Sequence, residues 1–333
     1  MDKIINLGIP HVAENIFERI DTPELVQCAL VSETWKVLAE NVLLKRWNGK
    51  IVEASKCGET KVVQLLLEHS NQTDEEHYQF SVALMSATRH GHKDVVGLLL
   101  DRSNTNGINI CLSARYWKIL CDPPFMIACI NGCKEVVQMF LNFGSNHDID
   151  VNARDKSGDT AFIHACRNGH KDVVQLLLDY SDRFRNEIKA GAMFDLNRYL
   201  KLNATNNCGY TGFIVACREG QEDVVKLLLN HFENPDSPLL LNATDINGLT
   251  GFKLACINGR INVVKLLLDY TSGESENVEW WKHYFLPKEI EGLLKHYFVP
   301  KEVEELLKKH PRKRHCIVRF YQFVSKQIKE IFR

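Results

Sequence analysis

Apolar positions along this chain recur in one phrase: a small residue, a polar stretch ending near Gly, a polar or charged pair, then Val-Val-x-Leu-Leu-Leu or a close variant. The phrase stands at residues 54–67, 87–100, 128–141, 165–178, 216–229 and 255–268. Apolar residues set one, three and four apart lie on one side of a 3.6-residue helix, so each phrase predicts a helix with a single buried face. Its glycines, Gly58, Gly91, Gly132, Gly169, Gly220 and Gly259, are 33, 41, 37, 51 and 39 residues apart, which describes a 33-residue unit carrying loop insertions. Three of the units have a second element upstream, at 151–162, 202–213 and 241–252, where Asp155, Asn206 and Asp245 each precede a Gly by three residues. An Asx side chain bonds nearby backbone and Gly accepts positive φ, so these are turns. Thr160, Thr211 and Thr250 follow as candidate helix N-caps. Each unit reads as turn, short helix, Gly-marked break and second helix. Helix pairs too small to bury their own faces must stack on their neighbours, so the expected fold is an all-α solenoid.

These residues resemble the ankyrin repeat family, whose Thr-Pro-Leu-His-x-Ala start is matched by Thr160 to Ala165, Thr211 to Ala216 and Thr250 to Ala255. The family's Pro and His are replaced in all three, so the resemblance rests on Thr, Ala, Gly and the second helix. The repeats at about 50–72 and 78–103 lack the turn signature. Cys129, Cys166, Cys217 and Cys256 stand three residues before the repeat Gly and are expected to be small buried hydrophobes. In the family, turn tips and the end of the first helix face a binding surface. That resemblance implies substrate contacts at Arg154, Lys156, Asn207, Tyr210, Ile246 and Leu249 on the tips, and at Arg167, Arg218 and Ile257 on the helices. Insertions near 103–122, with Tyr116 and Trp117, and near 182–202, with Phe194 and Tyr199, either add contacts or fold back as local helices.

Residues 1–49 do not fit the repeat. Ile16, Phe17, Ile20, Leu25, Val26, Ala29, Leu30, Trp35 and Leu38 recur at helical spacing, and Thr22-Pro23-Glu24 is a helix start. Read from the pattern alone, the segment is a helical cap on the open end of an array. The order Ile16-Phe17, Ile20, Glu24-Leu25, Val31, Trp35 is more specific and resembles an F-box. The family's Leu-Pro start is here Ile9-Pro10, one residue nearer the Ile-Phe pair, and Val12 replaces its usual acidic residue. The resemblance implies docking on the Skp adaptor of a cullin-RING (SCF-type) ubiquitin ligase through Pro10, Ile16, Phe17, Leu25, Val31 and Trp35. Of these, Pro10, Leu25, Val31 and Trp35 are expected on the surface.

The expected organisation is an F-box at 1–49, about six repeats over 50–272, and a C-terminal helical cap with a basic amphipathic tail over 273–333. Residues 283–295 and 296–308 are a tandem duplication with Pro287 and Pro300 at helix starts. Residues 308–333 hold nine Lys or Arg against Glu330 alone. Packing of this tail on its own array is the expected reading, with a nuclear import signal at 308–314 as the alternative.

Composition narrows the function. A net charge of −1 argues against a globally basic nucleic-acid binder. No apolar run reaches the ~18–20 residues of a membrane span. The eleven cysteines, with no C-x-x-C pair and no secretory start, are expected to be reduced in a cytoplasmic or nuclear protein. No phosphate-cradling loop, zinc-protease motif or nucleophile elbow is present, so neither catalytic residues nor metal ligands nor a cofactor are expected. The resemblances together imply a non-catalytic substrate receptor with the Skp adaptor, cullin and an unknown protein substrate as partners. The alternatives are an ankyrin scaffold without a ligase, or a pathogen effector mimicking a host F-box protein.

Overall fold

A computed structural model of the chain describes residues 10–70, 74–105, 122–143, 149–191, 199–232, 240–270 and 300–309. Among them are sixteen α-helices, and β-structure is limited to two isolated bridges, Arg154 with Thr160 and Thr244 with Thr250. The all-α expectation holds. Tyr116, Trp117, Phe194, the side chain of Pro10, the first copy of the tandem duplication and the basic tail from 310 onward lie outside the described residues. The chain divides into two compact units, 1–150 and 151–333.

The first unit opens with α1 (Pro10–Phe17), α2 (Thr22–Cys28) and α3 (Glu33–Trp47). Asp21 and Ser32 start the second and third helices by accepting from the Glu24 and Trp35 amides. Three helix pairs follow: α4 (Ile51–Cys57) with α5 (Thr60–Glu68), α6 (Asp74–His90) with α7 (Lys93–Thr105), and α8 (Pro124–Asn131) with α9 (Lys134–Phe143). Gly58, Gly91 and Gly132 sit at φ of 76°, 75° and 70° between the helices of a pair, the left-handed turn that a Cβ disfavours. In the second pair the seventeen-residue α6 runs directly into the break, so a longer first helix stands where later units have a turn. Val62, Val63, Val95, Val96, Val136 and Val137 are buried, as the repeating phrase requires.

The second unit has three pairs with turn tips: α10 (Ala161–Arg167) with α11 (Lys171–Lys189), α12 (Gly212–Glu219) with α13 (Glu222–Phe232), and α14 (Gly251–Ile257) with α15 (Ile261–Tyr270). Thr160, Thr211 and Thr250 cap the first helices by accepting from the Ile163, Ile214 and Lys253 amides, each at 3.3 Å. The insertion expected near 182–202 begins as a continuation of α11, which carries its apolar stripe through Tyr180 and Phe184. Cys166, Cys217 and Cys256 are fully buried, as is Cys129 in the first unit. Burial raises the pKa of Cys129, Cys166 and Cys217, because an apolar interior disfavours a thiolate. The helix α16 (Lys301–Lys309), which follows Pro300, buries Val303 and Leu307 and packs on α15.

Candidate docking surfaces

The three N-terminal helices are too short to enclose every apolar residue they carry. Phe17, Leu25, Ala29, Ala39, Val42 and Leu43 form their buried centre, with Phe17 and Trp35 edge to face at a ring separation of 5.6 Å. Arg46 closes the end of α1 by donating to the Glu18 and Ile20 carbonyls at 3.1 and 2.9 Å. The Trp47 indole donates to the Thr22 hydroxyl at 3.3 Å. Lys45 and Glu18 form an ion pair at 2.5 Å, and that bond to Glu18 is the main cause of the raised Lys45 pKa.

What remains outside this centre is apolar. Leu30 is 78% exposed and Val31 60%, and Val12, Ile16 and Val37 are also exposed. Of the residues expected to meet an adaptor, Ile16 and Val31 therefore face solvent and Trp35 is half-buried. Leu25, expected on the surface, is fully buried. The expectation is corrected: Leu25 is the one buried residue of α2, turned into the small core, while Leu30 and Val31 leave the helix end exposed. Phe17 is fully buried too. Periodicity marks both classes as apolar without saying which side of a seven-residue helix the neighbouring helices cover. Val12, Leu30 and Val37 were not among the residues expected to meet an adaptor, and their exposure is what distinguishes them.

In the second unit the turn tips are built by their own Asx residues. Asn206 Oδ1 accepts from the Cys208 and Tyr210 amides, both at 2.9 Å, and Asp245 Oδ1 from those of Asn247 and Leu249, both at 2.8 Å. Asp155 Oδ1 accepts from the Asp159 amide at 2.8 Å. Neighbouring tips are tied backbone to backbone, Asn207 N to Ser157 O at 3.0 Å and Ile246 N to Cys208 O at 3.1 Å. Asn207 Nδ2 adds a bond to the Lys156 carbonyl at 3.1 Å.

The other sequence-selected side chains gather on the same tips and first helices. Arg154 and Lys156 are exposed on the first tip, where Arg154 donates to the Gly158 carbonyl at 3.0 Å and to the Thr205 carbonyl of the next tip. Arg167 reaches back along α10 to Asp159 at 2.5 Å, and Arg218 lies over the Tyr210 ring at 5.4 Å. Ile246 is 72% exposed, whereas Tyr210, Leu249 and Ile257 are half-buried. Asp155, Asp159 and His164 bring three metal-ligand-type atoms within 4.8 Å of one another. Each has protein partners: His164 Nε2 meets Asp155 Oδ2 at 2.9 Å, and Asp159 also accepts from Asn206 Nδ2 at 2.7 Å. Asp155, Asp159 and His164 lie within one repeat, and the bond from Asn206, which the sequence does not announce, joins them to the next.

Comparison with known families gives two matches. An F-box domain matches residues 9–47, and ankyrin repeats (3 copies) match residues 118–189 and 188–279. The two turnless repeats of the first unit lie outside the ankyrin match. No curated protein matches the chain. No helix among the described residues is long and apolar enough to cross a membrane.

Proposed function

We propose that this F-box protein with ankyrin repeats is a substrate receptor of a cullin-RING (SCF-type) ubiquitin ligase. The division we propose is an F-box over 1–49 that docks on the Skp adaptor, an array over 50–272 that holds a protein substrate, and a cap with a basic tail over 273–333. The observation that carries this reading is the apolar surface of the F-box match: Val12, Ile16, Leu30, Val31 and Val37 are exposed on a unit with its own buried centre. Burial of such residues against a partner's helices is favourable, with a few anchors dominating the energy. Pro10, Ile16, Val31 and Trp35 are the proposed contacts, with Leu30 added, while Phe17 and Leu25 support them from within.

The chain itself performs no chemistry in this proposal. It raises the effective concentration of a substrate near the transferring enzyme. A reducing cytoplasmic or nuclear location is proposed with it, supported by the absence of any disulfide among the eight described cysteines.

The test is co-purification of full-length chain with the Skp adaptor and cullin. Ile16→Glu combined with Val31→Glu changes exposed positions, so the thermal melt should stay within a few degrees of wild type. Adaptor binding should fall by about thirtyfold or more, since two lost anchors are each worth ~1–2 kcal/mol. Failure of the wild-type chain to co-purify with the adaptor would refute the receptor reading, and retention of wild-type adaptor binding by this folded variant would refute the proposed contacts.

A further inference from the structure

The turn tips and first helices of the second unit sort their charges by depth. Residues 151–168, 202–219 and 241–258 hold five Lys or Arg: Arg154, Lys156, Arg167, Arg218 and Lys253. All five are exposed or half-buried. The same segments hold four acids, three of which are drawn into the fold. Asp159 and Asp245 are buried, and the Asp155 carboxylate is only 13% exposed. Their oxygens accept from turn amides, from His164 and from Asn206, and Asp159 also accepts from Arg167. Glu219 is the acid that keeps appreciable exposure, and it sits between Arg218 at 3.0 Å and Arg260 at 3.8 Å.

We propose that this surface binds an acidic segment of a protein partner, with Arg167 and Arg218 as the central cations and Tyr210 and Ile246 as apolar contacts. The proposal rests on the array's role as substrate holder and names the class of segment it would hold. Charge complementarity is its basis: the turn acids are taken inward, Arg154 and Lys156 are exposed beside them, and Arg167 and Arg218, though paired with Asp159 and Glu219, keep part of their side chains exposed. Guanidinium groups suit carboxylates because their planar donors bond in pairs. The surface is also held in place before any ligand arrives. Gln221 Nε2 donates to the Arg167 carbonyl at 2.8 Å and Arg260 Nε to the Arg218 carbonyl at 2.9 Å, fixing the ends of α10 and α12. Fixed side chains and tied tips lose little freedom on binding. A polypeptide fits better than a nucleic acid because Asp159 and Glu219 already neutralise part of the Arg167 and Arg218 charge, and the neighbouring tips carry the half-buried Tyr210 and the exposed Ile246.

The experiment uses the full-length chain and a fluorescein-labelled peptide alternating Glu with Gly around one Tyr, followed by anisotropy. Comparators are the same peptide with Gln for Glu and an oligothymidine strand. The acidic peptide should bind, weaken as salt rises, and outcompete both comparators. The triple variant Lys156→Glu, Arg167→Gln, Arg218→Gln should lose about tenfold or more in affinity for it. Lys156→Glu alone, an exposed tip position, should lose a smaller part with an unchanged melt. Equal binding of the Glu and Gln peptides, wild-type affinity in the triple variant, or preferential binding of the oligothymidine through these residues would each overturn the proposal. Adaptor co-purification is scored on the same samples. An adaptor that fails to bind while the acidic peptide binds removes the ligase reading and leaves this surface standing. The converse removes this surface alone.

Discussion

At the scale of single residues, the departures from the ankyrin start pattern explain one another. Phe162, Phe213 and Phe252 stand where the family has Leu, and Ala161, Gly212 and Gly251 stand where it has Pro. A Cβ at Gly212 would lie 2.6 Å from Cε1 of Phe162 and 3.0 Å from Sγ of Cys166, both in the preceding repeat. A Cβ at Gly251 would likewise crowd Phe213 and Cys217, at 3.2 and 3.1 Å. The larger ring of one repeat thus takes the space of a side chain in the next. Gly212→Ala should therefore destabilise the protein by about 1–3 kcal/mol in urea unfolding, although Ala is the better helix former. Adding Phe162→Leu should recover part of that loss, so the double variant is less damaged than the sum of its parts. Simple additivity would show that the ring and the glycine are not coupled. Nothing local in the sequence announces this pairing, because the two residues are fifty positions apart. The buried state of Cys166 and Cys217 was legible, since each occupies a repeating slot inside an apolar helix.

At the scale of elements, the best-read features are those whose cause lies within a few residues. The caps at Thr160, Thr211 and Thr250 and the Asx turns before them follow from side chains bonding backbone two to four residues away. Thr211→Ala should cost about 1 kcal/mol by urea unfolding, and Thr211→Ser should cost clearly less because it keeps the accepting oxygen. Equal losses would mean that the methyl group, rather than the cap bond, supports α12. The F-box helices were less legible. Their apolar spacing identified the unit, and Asp21 and Ser32 sit where caps belong. Leu25 inward and Leu30 outward is a matter of how α3 crosses the two short helices, and Arg46 reaches α1 from 26 or more residues away. Lys156 and Ile246 were expected outside and are found there, because each is a central residue of a two-residue turn that offers no interior, and Arg154 is exposed at the bridge to Thr160.

For the molecule as a whole, the repeats of the two compact units differ in how their first helices are started, and stability should differ accordingly. In the second unit the first helix of every pair has a Thr cap, and each tip carries further Asx bonds. In the first unit the first helices α4 and α8 begin at Lys50 and Pro123 with no side-chain cap bond. A cap is worth ~1 kcal/mol, and in stacked repeats stability is close to a sum of unit and neighbour terms. The repeats of the first unit should therefore open at lower urea than those of the second. Buried thiols report this directly, one in the first unit (Cys129) and three in the second (Cys166, Cys217 and Cys256). Desolvation raises the pKa of Cys129, Cys166 and Cys217 above the ordinary 9.0, so in the native state they are neutral and shielded. With folded pKa above unfolded, their contribution to stability is complete below pH 9.0 and is lost as pH rises beyond it, so labelling belongs at about pH 8. Iodoacetamide pulses read by peptide mass spectrometry should modify exposed Cys57 and Cys208 without urea. Cys129 should then become reactive at a lower urea concentration than the other three. Simultaneous exposure of all four would show that the uncapped helices are compensated by packing, and that the array opens as a single cooperative body.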